Sequence, residues 1–423
     1  MCSDKKYMDD ILKDEEIDKI RKLFPIYTKH PELSYLDNAA SGLKIKACID
    51  KMTQYYYESG VNVHRGVYKI ANSATLDYEE CRKNAATFLN CAEEEVIFTS
   101  GTTMGINLAV AILKEKLNEG DEIIVSILEH HSLLLPILEV AKEKKCEVRY
   151  LLLDENHLIT KKNFERLINE KTKLVALSYV SNVLGTLAPL DFILETCVKK
   201  GIYSLIDAAQ AAGHIKIDVK KLGCDFLALS AHKMFGPSAV GLLYGSNKIL
   251  NSADPLLYGG EMVASVSEEK VVLKDSPYRF EAGTPNVAGI IGFNEVLEYF
   301  NNEYDYEKFQ RHIHALTKYT IDELKKIDDV LIYNPNNVGS IVCFNILDVH
   351  PHDVASVLDE YNVCIRAGLH CANLVAQHLC VDATDRVSFH FYNTLTDAQK
   401  LIKAIKKVRN YFLGNNISEE DNG

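Results

Sequence analysis

Four short stretches of this chain carry side chains suited to chemistry, and each follows a strand-like apolar run. Ser100-Gly-Thr-Thr-Met-Gly comes after Val96–Thr99 and opens an apolar helical pattern at Asn107. Backbone N–H groups at a helix start, with hydroxyls and glycines, make a phosphate cradle; Ser and Thr are equally at home there as plain caps. Asp207-Ala-Ala-Gln210 closes Tyr203–Ile206, where a carboxylate suits a helix cap, a metal ligand or the partner of a cationic cofactor nitrogen. Ala231-His232-Lys233 closes Phe226–Ser230 and is hemmed by Gly236 and Pro237. Most lysines lie on solvated faces, so a Lys beside a buried strand is unusual, with an ordinary surface loop as the alternative. Glu129-His130-His131 closes Ile123–Ser126, and two histidines in tandem there offer a flat group for stacking.

Together these residues fit one cofactor. Pyridoxal phosphate needs a Lys for its carbonyl carbon, an acid opposite its ring nitrogen and a cradle for its phosphate.

The elements that position them alternate. Apolar runs at 96–99, 123–126, 148–153, 174–178 and 203–207 are separated by segments such as 133–144 and 190–200 with apolar residues at three- and four-residue spacing. That pattern predicts an α/β fold, a mostly parallel sheet covered by helices on both faces, with ligands at the carboxyl ends of the strands. After residue 300 the order becomes helix 304–326, strand 340–346, helix 351–361, strand 386–391 and helix 396–412, a small α+β domain. The expected division is an N-terminal segment 1–34 packing on the small domain, a large domain 35–298, a small domain 299–413 and a disordered tail 414–423.

Across 423 residues, 47 basic and 59 acidic side chains leave a net charge of −12, which disfavours nucleic acid and anionic membranes. No apolar run approaches the ~20 residues of a membrane span. The polar, acidic start lacks the basic-then-apolar form of a signal peptide, so a cytoplasmic location is expected, with a mature organellar form still open. Eleven cysteines without a CxxC pair read as free thiols, mostly small buried hydrophobes.

Nine blocks in order resemble the group II (Suf-type) cysteine desulfurases of the class V aminotransferase family. They are Tyr35-Leu-Asp-Asn-Ala-Ala, Asn62-Val-His-Arg-Gly, Ser100-Gly-Thr-Thr, Glu129-His-His, Val180-Ser-Asn-Val-Leu-Gly, Asp207-Ala-Ala-Gln, His232-Lys-Met-Phe-Gly-Pro, Arg279-Phe-Glu-Ala-Gly-Thr-Pro-Asn and Arg366-Ala-Gly-Leu-His-Cys. Their order and spacing match the family from about residue 17 to 412. The resemblance implies the type I fold of pyridoxal-phosphate-dependent transferases, with a seven-stranded sheet in the large domain and the catalytic Cys in the small one. It implies sulfur removal from L-cysteine, giving L-alanine and a persulfide on Cys371. That sulfur would pass to a SufE- or SufU-like acceptor and an iron–sulfur scaffold.

It also implies roles. Lys233 would bind the cofactor and move the Cα proton, Asp207 would pair with the ring N–H, and His130 would stack on the ring. Gln210 and Asn182 would bond the ring oxygen or the substrate, while Thr102, Ser230 and His232 would hold the phosphate. Thr284 would reach the other subunit's phosphate in a homodimer. Arg386, with Arg366, Asn182 and His64, would bind the substrate, a guanidinium fork suiting its carboxylate. Cys371 would attack the substrate sulfur, its thiolate favoured by nearby Arg366 and His370. Departures from the family pattern are Ala231 before the His-Lys pair, Leu369 before His370-Cys371, Ala-Asn-Leu-Val after Cys371, and Ser-Gly-Leu after Asp37-Asn-Ala-Ala. Alternatives are a selenocysteine lyase or cysteine sulfinate desulfinase on the same scaffold, and another class V enzyme such as a transaminase or kynureninase-like hydrolase. A third is a metal site from His370, Cys371, His378 and Cys380, whose spacing is poor for structural zinc.

Overall fold

The structure, a computed structural model, describes residue 7 and residues 9–414. The start of the N-terminal segment and, beyond Gly414, the tail expected to be disordered lie outside the described residues.

Strands β1 (Val96–Thr99), β2 (Glu122–Ser126), β3 (Glu147–Leu151), β4 (Thr172–Ser178), β5 (Tyr203–Asp207), β6 (Phe226–Ser230) and β7 (Gly241–Gly245) form one sheet in the order β1-β7-β6-β5-β4-β2-β3. From β6 through β3 all pairings are parallel, and only β7 runs against its neighbours. These strands read as continuous apolar runs because both faces are buried. Successive residues go to opposite faces: Ile97, Val125, Ala176, Leu205 and Ala228 enter one apolar cluster, and Phe98, Ile124, Val175, Ile206 and Leu227 the other. Helices α2 (Thr102–Lys114) and α3 (His131–Lys144) cover the first face. Helices α1 (Lys69–Leu89), α4 (Leu190–Lys200) and α5 (Val287–Asn302) belong to the second cluster.

The small sheet contains β8 (Val330–Ile332), β9 (Ile341–Ile346), β10 (Arg366–Gly368) and β11 (Thr384–Ser388), all antiparallel in the order β8-β9-β11-β10. Helices α6 (Tyr306–Leu324) and α7 (Pro351–Asp359) pack with it, and α9 (Leu395–Leu413) packs on those two helices; the short α8 (Asn373–Leu379) follows β10. The strand expected at 386–391 is shifted. It begins at Thr384 and ends at Ser388, because the His390 Nδ1 and carbonyl accept the Phe391 and Asn393 N–H groups and turn the chain. The short β10 carries no sequence pattern of its own.

Described residues before 35 contact α6, α9 and the segment 363–364. Leu12 N–H donates to His312 Nδ1 (3.1 Å), Arg21 Nη2 pairs with Asp397 Oδ2 (2.6 Å), and Ser34–Tyr35 pairs in parallel with Val363–Cys364. The boundary expected after residue 298 falls inside helix α5. Among the described residues no helix is long and apolar enough to cross a membrane.

Candidate active site

The carboxyl ends of the large-sheet strands open onto a cavity of about 280 Å³. Thr102, His130, Asn182, Asp207, Gln210, Ser230, His232, Lys233, Arg366, Cys371 and Arg386 all line it. These positions are up to 284 residues apart in the chain (386 − 102): those from Thr102 to Lys233 meet where the large-sheet strands end, and Arg366, Cys371 and Arg386 reach the cavity from the antiparallel small sheet and the loop after β10.

At one end stands the start of α2. Thr102 N–H and Oγ1 each lie 2.7 Å from Ser230 Oγ. Gly101, with φ +141°, sits where an added Cβ would come within 3.2 Å of that oxygen. This conformation and proximity favour glycine. An adjoining space of about 330 Å³ is bordered by Ser100, Gly101, Thr102, Thr103, Ser230 and His232. His232 is pushed down to about 4 by burial and then by the neighbouring Lys233, so its ring is neutral.

Deeper in, Asp207 is 4% exposed. Its Oδ1 accepts the Ala209 N–H (2.9 Å), and Ser132 Oγ lies 3.5 Å from Oδ2. Burial raises its pKa, and Lys233 opposes that rise. Lys233 is lowered to about 8 by burial, against the pull of Asp207. His130 caps α3: its Nδ1 accepts the Ser132 N–H (3.1 Å) and lies 2.7 Å from Ser132 Oγ. Burial, then Lys233, lowers it to about 4. Gln210 Nε2 donates to the Ala39 carbonyl (2.7 Å).

On the small-domain side, Cys371 is exposed and borders the cavity. His370 and Cys371 have φ +52° and +55°, two successive non-glycine residues in left-handed conformation. Such a turn is costly without outside support. The large domain supplies it: Asn182 Nδ2 donates to the His370 carbonyl (2.7 Å) and His131 N–H to the Cys371 carbonyl (2.9 Å). Arg386 is 2% exposed; its Nη1 donates to the Asn182 carbonyl (2.8 Å), and its Nε is buried without a partner among the described residues. Asn182 Oδ1 is likewise buried and unpartnered.

Two expected residues stand elsewhere in the single chain. His64 borders a separate cavity of about 410 Å³ and pairs with Glu79 Oε1 (2.8 Å). Thr284 is exposed, and its neighbours Gly283 and Pro285 line that same cavity. The four residues of the metal alternative do not converge. His370 Nε2 faces the Thr384 carbonyl and hydroxyl (3.1 and 3.0 Å), while His378 Nε2 lies 3.0 Å from His157 Nδ1.

Sequence reasoning gave no role to three acids and hydroxyls that brace the site. Glu129, 1% exposed, accepts Ser126 Oγ (2.5 Å), Ser178 N–H (2.8 Å) and Ser178 Oγ (2.6 Å), tying the His130 loop to the end of β4. Ser132 links His130 to Asp207. Asp37 bridges Arg366 and Arg386. Glu129 and Asp37 lie in the motif blocks quoted above, which is the one signal that pointed to them.

Residues 34–401 match the family described as Aminotransferase class-V. A probable cysteine desulfurase of Halalkalibacterium halodurans is 42% identical over 399 residues, covering 93% of this chain and 98% of that protein. The crystal structure of the cysteine desulfurase CsdA (S-sulfonic acid) from Escherichia coli matches with a TM-score of 0.88 at 34% identity, over 94% of this chain and 99% of that one. The apo cysteine desulfurase of Thermococcus onnurineus NA1 matches with a TM-score of 0.89 at 34% identity, over 94% and 98%. The fold is the α/β type I fold of pyridoxal-phosphate-dependent transferases. By family match and by near full-length identity, this chain belongs to the class V aminotransferases, among the proteins named cysteine desulfurases.

Proposed function

We propose that this chain is a pyridoxal-phosphate-dependent cysteine desulfurase that releases L-alanine from L-cysteine and holds the sulfur as a persulfide on Cys371. One observation carries the reading: a thiol, Cys371, borders the same cavity as Lys233, Asp207 and the buried Arg386. An aminotransferase has no step that uses such a thiol.

The residues present fit the cofactor. The hydroxyl-lined cradle at Gly101 suits a phosphate, and the unpartnered Asn182 Oδ1 and Arg386 Nε are buried polar atoms that await a ligand. Pyridoxal phosphate, when bound, supplies the electron sink for bond changes at the substrate's Cα and Cβ. Lys233, whose pKa burial lowers to about 8, would anchor it and would move the Cα proton. Asp207 would hold the proton on the ring nitrogen, and the neutral His130 would lie against the ring. Gln210 and Asn182 would bond the ring oxygen or the substrate, and Thr102, Ser230 and His232 would hold the phosphate. Arg386, aided by Arg366, takes the substrate carboxylate.

The Cys371 thiolate then supplies the electron pair of a new S–S bond. The substrate's Sγ–Cβ bond breaks with its pair going to carbon, and a proton delivered there completes the alanine methyl. Exposure of Cys371 suits onward transfer to a SufE- or SufU-like acceptor and iron–sulfur assembly in the cytoplasm. A homodimer with Thr284 serving the partner's phosphate is supported by apolar surface: Val67 is 97% exposed, and Tyr68, Leu257 and Tyr258 are exposed too. His64 in this reading acts from the neighbouring cavity.

Incubation of the loaded enzyme with L-cysteine and a thiol acceptor tests the reading: equimolar alanine and sulfide are expected. Release of pyruvate or keto acid in place of alanine would refute it.

A further inference from the structure

We infer that Lys44 is a positioning residue for the cofactor lysine: it pins the segment 35–45 to the carbonyl of His232, and through that segment it fixes Lys233 against the small-domain strand that carries Arg386. The inference rests on the proposed roles of Lys233 and Arg386 and adds a residue to that site.

An ammonium has three protons, and Lys44 Nζ places one on each of three oxygens: Ser41 Oγ (3.1 Å), the Gly42 carbonyl (2.7 Å) and the His232 carbonyl (2.9 Å). All three partners are neutral, and burial lowers the amine to about 8. A partly desolvated cation without a counter-charge is costly, and these three bonds offset that cost. The His232 carbonyl accepts two further donors from the same segment, the Gly42 N–H (2.9 Å) and Ser41 Oγ (3.2 Å), and the Ile45 N–H reaches the Phe235 carbonyl (3.4 Å). The segment therefore lies along the turn that presents Lys233. Gly42 permits the approach, since an added Cβ would stand 3.0 Å from the Lys233 carbonyl oxygen. At its other end the segment joins the small domain. Leu36 N–H donates to the Cys364 carbonyl (2.9 Å), Ser388 N–H to the Leu36 carbonyl (2.7 Å), and Asn38 Nδ2 to the Ser388 carbonyl (2.6 Å). Ser388 ends β11, two residues beyond Arg386. Lys233 and Arg386 come from different domains yet act on one substrate, where a displacement of about 1 Å is costly. The segment bonds to both sides, and Lys44 is its charged fastening to the Lys233 turn.

The test uses the loaded enzyme and two variants. Lys44→Met removes the ammonium and keeps the stem; Lys44→Arg keeps the charge but offers a flat fork in place of a tripod. Both should lower kcat for alanine release from L-cysteine about tenfold while KM stays within about threefold. Both should also move the midpoint of the pH titration of the protein–cofactor absorbance, by about half a pH unit or more. Wild-type kcat and midpoint in a folded Lys44 variant, whatever its melting temperature, would show a role in stability alone and overturn the inference. An Arg variant that restores both values overturns it too, because charge and not placement would then matter. Should neither variant fold, Ser41→Ala decides: it removes one of the three oxygens, and an unchanged kcat and midpoint overturns the inference. A wild type whose absorbance does not depend on Lys233 overturns the underlying reading instead.

Discussion

Glu129 offers a test of how the site is built that needs neither cofactor nor substrate. It is a fully enclosed carboxyl, and burial raises it to about 7 against the hydrogen bonds from Ser126 and Ser178, with Asp207 adding repulsion. A carboxyl whose folded pKa lies above its unfolded value near 4.5 favours the folded state while it holds its proton. That contribution is complete below pH 4.5 and is lost as pH rises through 7. The difference of 2.5 (7 − 4.5) amounts to about 3 kcal/mol of stability, absent at pH 8.5 and largely present at pH 5. Glu129→Gln removes the titration and keeps the shape. The amide oxygen can accept both Ser178 donors, and the amide N–H₂ can donate to Ser126 Oγ, which already accepts the Leu128 N–H. Urea unfolding of the cofactor-free protein is the assay. At pH 5 the variant should match wild type or fall slightly below it; at pH 8.5 it should gain up to about 3 kcal/mol on wild type, a large share of a domain's marginal stability. A variant less stable by the same amount at both pH values would show that the carboxyl is not carrying a burial cost, and the reasoning would fail.

Lys233→Ala should abolish turnover and the visible absorbance of the protein–cofactor linkage; an unchanged spectrum and rate would remove Lys233 from its role. Cys371→Ser should still bind cofactor and substrate but lose sulfide formation by several kcal/mol of barrier. Mass spectrometry after a cysteine pulse should place one extra sulfur on the Cys371 peptide of wild type, and sulfur on Cys364 or Cys380 would name a different thiol. Thr284→Ala should weaken cofactor retention in a dimer, and an active monomer by light scattering would contradict the shared-site assignment.

What the sequence made legible follows from where polar groups sit relative to buried strands. Parallel strands covered on both faces must be continuous apolar runs, so β1 through β6 stand out, and chemistry at their carboxyl ends points to Thr102, His130, Asp207 and Lys233. The antiparallel β7 was hidden because Gly241–Gly245 has two glycines in five residues; an added Cβ at Gly241 would stand 2.5 Å from Gly101 Cα. The braces were hidden for a different reason. Asp37 and Arg366 are separated by 329 residues, and the carbonyl bonds that hold His370 and Cys371 come from His131 and Asn182, far away in sequence. No local pattern encodes such pairs, since each partner satisfies ordinary capping or surface preferences on its own. His64 and Thr284 show the complementary case. Their motif blocks are plain in the sequence, yet one chain places them around a second cavity that also has Ser100 and Met104, at the mouth of the phosphate cradle, in its wall. A site completed by a neighbouring copy would look like this from one chain: a cradle open on one side, two polar residues beyond it, and exposed apolar surface around the opening.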